Sequence, residues 1–396
     1  MNRKISANFV FTMAGPPLKN GIVEVSPCGN IVSVTDTGGE IIEKERLEHY
    51  SGILSPGFVN AHTHLELAHM KTYQNTGKGL IDFLTGVKSL RSQDEDLITD
   101  IIQKCDARMF AGGIQAAGDI CNTGNTILTK IESKIKYYNF CEVYGAEILD
   151  AGKRFQQIQS LYQQFLQNNL MASIAPHAPY SVSLPLLDKI CHSPIPAILS
   201  IHNQESREEN SLFQTGQSQL KENFENLGIS YEGWPVTGKT SLQTWLPYLQ
   251  SVKKIMLVHN VYTSREDIDF LSACEKTKGN KFYFVFCPVS NLTIENQLPD
   301  FKLFEPLKNT ICVGTDSHAS NKHCDMLEEM KTLQNYSGFG FEEILRFATI
   351  NGARALGFDN EIGTIEVGKK PGLLLISNFN FRKGNLTNDS MVKRLV

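Results

Sequence analysis

Between about residues 53 and 358 the chain alternates short apolar, β-branched runs with longer amphipathic stretches. That rhythm belongs to a parallel sheet with helical crossovers. Eight runs read as strands: Ile53–His64, Gly113–Asp119, Cys141–Ile148, Met171–His177, Ala197–His202, Ile255–His259, Phe282–Cys287 and Ile311–Asp316. Leu97–Met109, Phe155–Gln167, Arg265–Ala273 and Phe341–Ala348 read as helices between them. The last is extended by Asn351-Gly-Ala-Arg-Ala-Leu and stopped at Gly357. Eight strand–helix units predict an α/β fold, a (β/α)8 TIM-like barrel, with a doubly wound open sheet as the alternative. The chain ends have another texture. Ile22–Ser26 and Ile31–Val34 flank a Cys28-Gly-Asn turn, and Gly363–Val367 and Leu373–Ile376 repeat that pattern near the other end. The two ends therefore predict one small composite β domain, residues 1–52 with 359–396, around a barrel over 53–358.

Most of the predicted strands stop on an ionisable or ligating residue: His62 and His64, Asp119, Glu147, His177, His202, His259 and Asp316. In a barrel all strand C-terminal ends face one mouth, where active sites lie. A single such histidine reads as a satisfied core residue; five at strand ends do not. In Asn60-Ala-His62-Thr-His64 the two imidazoles are two residues apart on a strand and so share a face. With His202 and Asp316 they make three neutral nitrogens and one carboxylate, a donor set suited to Zn²⁺, with Fe²⁺ as the alternative. Glu205, three residues past His202, then stands where a general base for a metal-activated water belongs. The segment Ile174-Ala-Pro-His177 offers no lysine to bridge a second ion, so one metal is expected. If the first strand continues, Glu66 faces the side of the histidine pair, to bind a substrate N–H or hydroxyl or to support a ligand histidine.

Composition narrows the partners. Lys and Arg number 38 against 42 Asp and Glu, a net charge of −4, so there is no electrostatic footprint for nucleic acid or an anionic membrane. The start, MNRKISANFVF, lacks a long apolar core, and nine widely spaced cysteines without a CxxC pair suit reduced thiols, so a cytoplasmic location is expected. One competing motif is present. Gly233-Trp-Pro-Val-Thr-Gly238-Lys239-Thr240 matches the phosphate-loop pattern, after a candidate strand at Leu227–Tyr231. Pro235 removes one of the N–H donors such a loop needs, and Trp234 is bulky for close approach to phosphate. A nucleotidase is therefore the remote alternative. The polar stretch Glu205–Thr240 is long enough to be a lid or binding loop, and with Lys71–Leu90 it is expected to carry specificity.

Taken in order, Asn60-Ala-His-Thr-His64, His177-Ala-Pro-Tyr180, His202-x-x-Glu205, Val258-His259, Cys287-Pro-x-Ser-Asn291 and Gly314-Thr-Asp316 resemble the amidohydrolase superfamily. The similarity is to its mononuclear aminohydrolase branch, the deaminases and chlorohydrolases, over about 50–357. Glu66, Tyr180-Ser-Val182 and Leu327-Glu-Glu329 point within it to the aminodeoxyfutalosine deaminase group of menaquinone biosynthesis. The resemblance implies a barrel with a composite β-sandwich from the chain ends. It implies His62, His64, His202 and Asp316 as ligands of one divalent ion and Glu205 as proton shuttle and substrate contact. It implies His259 as a catalytic residue that holds the attacking oxygen or polarises the leaving group, and His177 as a substrate contact. Asp316 would act as both ligand and base. The implied reaction is hydrolytic deamination of a purine-like or adenine-nucleoside-like substrate; a cyclic amide or other C–N hydrolase of the superfamily is the alternative. A small heterocycle is the expected partner, and a homodimer is left open as the assembly.

Overall fold

Leu47–Pro56 and Phe58–Thr63 are separate strands, although burial is continuous from Gly52 through Thr63. The break falls at Pro56-Gly57. The Gly57 N–H donates to Pro371 O, and a Cβ at Gly57 would lie 2.7 Å from both Gln115 and Pro371. A computed structural model of the chain describes residues 1–70, 77–90, 95–192, 194, 196–231, 234–249 and 251–396. It has five early strands: β1 Arg3–Val10, β2 Leu18–Lys19, β3 Ile22–Val25, β4 Ile31–Thr35 and β5 Leu47–Pro56. Eight more follow: β6 Phe58–Thr63, β7 Ile114–Cys121, β8 Lys136–Val143, β9 Ala172–Pro176, β10 Leu199–Asn203, β11 Lys254–His259, β12 Lys281–Phe286 and β13 Ile311–Val313. β14 Leu373–Ser377 and β15 Met391–Arg394 complete the set.

The two chain ends share one seven-stranded sheet, ordered β15-β14-β5-β1-β3-β4 with β2 on β1. β5 runs parallel to β1 and antiparallel to β14, so the expected division at residue 52 falls inside a strand of this sheet. The middle strands form two parallel four-stranded sheets, β6-β7-β8-β9 and β10-β11-β12-β13. Both pairs of sheet edges are tied. Thr315 and Asp316 N–H groups each donate to His62 O at 3.0 Å, and the His202 N–H donates to His177 O at 2.9 Å. Gly314 sits at the first of these seams because a Cβ there would lie 2.8 Å from His62 Cβ and 3.0 Å from Cys287 Sγ.

The expected third strand, Cys141–Ile148, is displaced: β8 is Lys136–Val143, paired from Ala116↔Lys136 to Cys121↔Cys141. Every residue of β8 past Lys136 is buried, so it carries no polar–apolar alternation from which its register could be read. The helices follow the expected periodicity more closely. Ala151–Gln167 buries Ala151, Phe155, Ile158, Leu161 and Phe165, one face at three- and four-residue spacing. Arg265–Lys278 begins with a Ser264–Asp267 capping box and stops at Gly279 with φ 68°. Glu205–Thr240 is not a structureless loop; it contains the helices Arg207–Thr215 and Gln219–Asn226. Among the described residues no helix is long and apolar enough to cross a membrane.

Candidate active site

The strand ends assemble a buried cluster of imidazoles and carboxylates. His62 lies within β6 and His64 one residue beyond it; His202 is in β10, and His259 ends β11. Asp316 follows β13 by three residues. His64 Nε2 lies 3.1 Å from His62 Nε2, and Asp316 Oδ1 lies 3.2 Å from His64 Nε2 and 3.6 Å from His62 Nε2. His202 Nδ1 is 3.0 Å from His259 Nε2, and the His62 and His202 ring centroids are 5.0 Å apart. Two donor triads result, His62–His64–Asp316 and His62–His202–His259, each with ligand atoms within 4.8 Å of one another. All four expected ligands fall in these overlapping triads.

His62, His259 and Asp316 have the protonation a metal requires, whereas His64, despite burial, is raised above the usual imidazole range by its hydrogen bond with Asp316. Burial pushes His62 down to about 4 and His259 well below the usual imidazole range, so both are neutral near pH 7. Burial works against ionisation of Asp316, but hydrogen bonds from His62 and His64 outweigh it and hold the carboxyl well below its usual range. His62 Nδ1 and His202 Nε2 are buried and have no hydrogen-bond partner among the described residues. Buried ring nitrogens without a hydrogen bond are costly in a protein interior, and the adjacent Nε2 atoms of His62 and His64 beside Asp316 Oδ1 form a donor group that fits a divalent cation. Ser290 Oγ at 2.5 Å and Ser320 Oγ at 2.8 Å both donate to Asp316 Oδ2, which leaves Oδ1 facing the histidines.

Glu205 projects from a strained turn at the end of β10. Gln204 at φ 48°, His259 at 76°, Asn260 at 59° and Asp316 at 57° are all left-handed and not glycine. Such conformations cost about 1–3 kcal/mol each and persist only where the surroundings over-determine them. For Gln204 they do: its amide bonds Asp267 at 2.8 Å, Asn210 at 3.2 Å and Thr263 at 2.7 Å. Glu205 Oε1 lies 3.6 Å from His259 Nε2. Burial pushes its carboxyl well above the usual range, reinforced by Asp316, Glu295 and Glu209. Asn291 Nδ2 meets His259 Nδ1 at 3.0 Å; with the amide donating, the ring proton sits on Nε2, toward Glu205 and His202.

Not every expected residue lies where the sequence suggested. β6 ends at Thr63, so Glu66 is on the 3-10 turn Leu65–Met70 rather than on a continuing strand. Its Oε2 accepts from the N–H groups of Asn122 and Thr123 and from Thr123 Oγ1, each at 3.0 Å. Glu147 is not at a strand end either and accepts from the Ser230 N–H. The carboxylate that β8 brings to the mouth is Glu142, unseen in the sequence. It lies 3.5 Å from His202 Nε2, accepts from Asn122 Nδ2 at 3.1 Å, and forms a third triad with His177 and His202. Burial opposes its ionisation, but His177 and His202 outweigh that and hold its carboxyl well below the usual range. His177 is set by Ser181 Oγ at 2.7 Å from Nδ1, with its ring 4.8 Å from that of His202. Asp119 is taken up by a fully buried ion pair with Lys130 and by the Leu65 N–H.

Among the described residues the phosphate-loop match lacks the required geometry. Leu227–Tyr231 forms no strand, Lys239 is exposed, and Thr240 caps a five-residue helix, Ser241–Trp245, with its hydroxyl on Asp267. Gly233 lies outside the described residues.

The family model for amidohydrolases matches residues 53–393. The chain belongs to the amidohydrolase family. This amidohydrolase is 27% identical over 366 residues to an aminodeoxyfutalosine deaminase from Nitratiruptor, covering 87% of this chain and 85% of the relative. Its structure is similar to that of Helicobacter pylori aminofutalosine deaminase in complex with methylthio-coformycin, with a TM-score of 0.78, 21% identity and full coverage of both chains. It is also similar to an adenosine deaminase from Xanthomonas campestris with bound zinc, with a TM-score of 0.68, 23% identity and coverage of 94% and 84%. The shared architecture is a TIM-barrel-like α/β fold.

Proposed function

We propose that this amidohydrolase is a metal-dependent hydrolytic deaminase of an adenine-nucleoside-like substrate of the aminodeoxyfutalosine type, releasing ammonia. The observation that carries the reading is Glu205, a buried carboxylate 3.6 Å from His259 and beside a complete donor set of which it is not a member. His62, His64, His202 and Asp316 are the residues that would hold one divalent ion, with zinc favoured by the Xanthomonas relative's bound metal. Such an ion supplies Lewis acidity, which lowers the pKa of water from ~15.7 toward ~7. Glu205 takes the proton of the attacking water and gives it to the neighbouring ring nitrogen, making the amino-bearing carbon electrophilic. His259, with its proton on Nε2, orients the attacking oxygen. Asp316 relays the second proton to the amine, which leaves as ammonia. His177 contacts the substrate face. Of the two roles open to Glu66, the geometry supports anchoring of the 122–123 loop over direct substrate contact.

The same reading takes the two parallel sheets as a closed (β/α)8 barrel over 53–358, supported by both tied seams, and the mixed sheet as a β-sandwich from 1–52 and 359–396. It places the enzyme in the cytoplasm and in menaquinone biosynthesis, and leaves a homodimer to light scattering. Ammonia release across adenine nucleosides, futalosine-type compounds, guanine and pterins tests the substrate class. Release from an adenine nucleoside supports it; ring opening of a cyclic amide without ammonia would replace it with the other C–N hydrolase reading.

A further inference from the structure

A polar cavity of about 380 Å³ lies at the opposite end of the strands from the histidine cluster. Its walls include Met13–Gly15, the helical segment bearing Arg346, Ile350 and Arg354, and the loop from Asp359 to Lys369. That segment packs on the start of β6, where Gly352 approaches Val59 at 2.8 Å from a would-be Cβ. Lys254, the first residue of β11, reaches Arg354 O at 2.7 Å. Both contacts put the cavity at the strand N-termini, where no residue of the proposed active site lies.

The cavity has an unbalanced charge. Lys369 is committed to Glu366 at 2.9 Å, to Thr364 Oγ1 and to Asp359 O. Arg346 and Arg354 are half-buried, and among the described residues neither guanidinium has a hydrogen bond or ion pair. Glu366 lies within electrostatic reach of Arg354 as well as of Lys369, so the lining carries three cations against two carboxylates, Glu366 and Asp359. The backbone puts both guanidinium-bearing residues on one face of the helix. In an α-helix, residues eight apart stand ~80° apart around the axis. Here Phe347–Asn351 is a π-helical turn, which absorbs an extra residue and returns Arg354 to the face of Arg346. Paired planar forks with free N–H groups recognise oxyanions two-pronged, phosphate above all.

We propose that this cavity is a phosphate-binding site, separate from the catalytic centre, held by Arg346 and Arg354. The phosphate is either the free ion or the terminal group of a phosphate monoester. The test titrates the full chain by calorimetry with inorganic phosphate and with ribose 5-phosphate at constant ionic strength. The expected result is saturable binding of one or both probes with a Kd at or below ~1 mM. Tighter binding of ribose 5-phosphate assigns the site to a monoester, and tighter binding of inorganic phosphate to the free ion. The double variant R346Q/R354Q should weaken binding at least about tenfold and leave ammonia release unchanged. R346K/R354K keeps the charge without the fork and should fall between the two; it carries the test if the glutamine variant does not fold. Absence of saturable binding by both probes overturns the proposal, as does equal binding by wild type and a folded double variant.

Discussion

Gly314→Ala is a one-methyl perturbation aimed at the seam that holds the site together. The added Cβ would stand 2.8 Å from His62 Cβ, 2.9 Å from His62 O and 3.0 Å from Cys287 Sγ. Ordinary contact begins near 3.4 Å, so β13 and β6 must part by about 0.6 Å. None of the three neighbours is a flexible side-chain end: one is backbone and two sit on buried residues. Overpacking of this kind costs about 1–3 kcal/mol. The same movement stretches the Thr315 and Asp316 N–H bonds to His62 O, now 3.0 Å, and shifts His62 against Asp316. A misplacement near 1 Å costs about 10²-fold in rate, so kcat/KM should fall by roughly 10–10². Chemical denaturation, metal content and ammonia release on one preparation read all three effects. Full activity with unchanged stability would refute the reasoning, since it would mean that the seam does not position His62.

Three other expectations follow from the same geometry. Glu205→Gln should retain metal while kcat falls about 10²–10⁴-fold, the usual contribution of a positioned proton shuttle, as read by turnover with metal analysis. Lys239→Ala should leave turnover unchanged, because an exposed lysine on a capped turn touches no reacting atom; abolished activity would return the phosphate loop to contention. Glu209 is raised from 4.5 to about 7, chiefly by burial. The folded state thus binds the extra proton, so this group's contribution is complete below pH 4.5 and is lost as pH rises through 7, about 3 kcal/mol in all. Glu209→Gln should flatten the stability profile over that window, as measured by denaturant unfolding at several pH values.

The sequence carried the strands that end on ligating residues, because a buried run stopping at His or Asp marks both a strand end and a site. It did not carry β8. A parallel strand buried on both faces has no period-two signal, so its register slid by five residues and Glu142 was hidden with it. Glu66 was misplaced for a related reason: the chain leaves β6 at Thr63 and tightens into a 3-10 turn, which its apolar residues do not announce. The break at Pro56-Gly57 was visible as a Pro-Gly pair, but its meaning depends on Pro371, some 300 residues away. The phosphate-loop match shows the converse, a motif whose spacing is right and whose flanking strand is missing. Of the two hydroxyls that fix Asp316 Oδ2, Ser290 lies in the Cys287-Pro-x-Ser-Asn291 motif, while Ser320 has no sequence signal beyond proximity to a ligand.

The central claim is that His62, His64, His202 and Asp316 hold a metal on which hydrolysis depends. It is tested most directly by removing the metal with a chelator, then restoring zinc while following metal content and ammonia release from an adenine nucleoside together. The account predicts about one ion per chain, loss of turnover with its removal and recovery in proportion to its return. Undiminished ammonia release from the metal-free chain would contradict it.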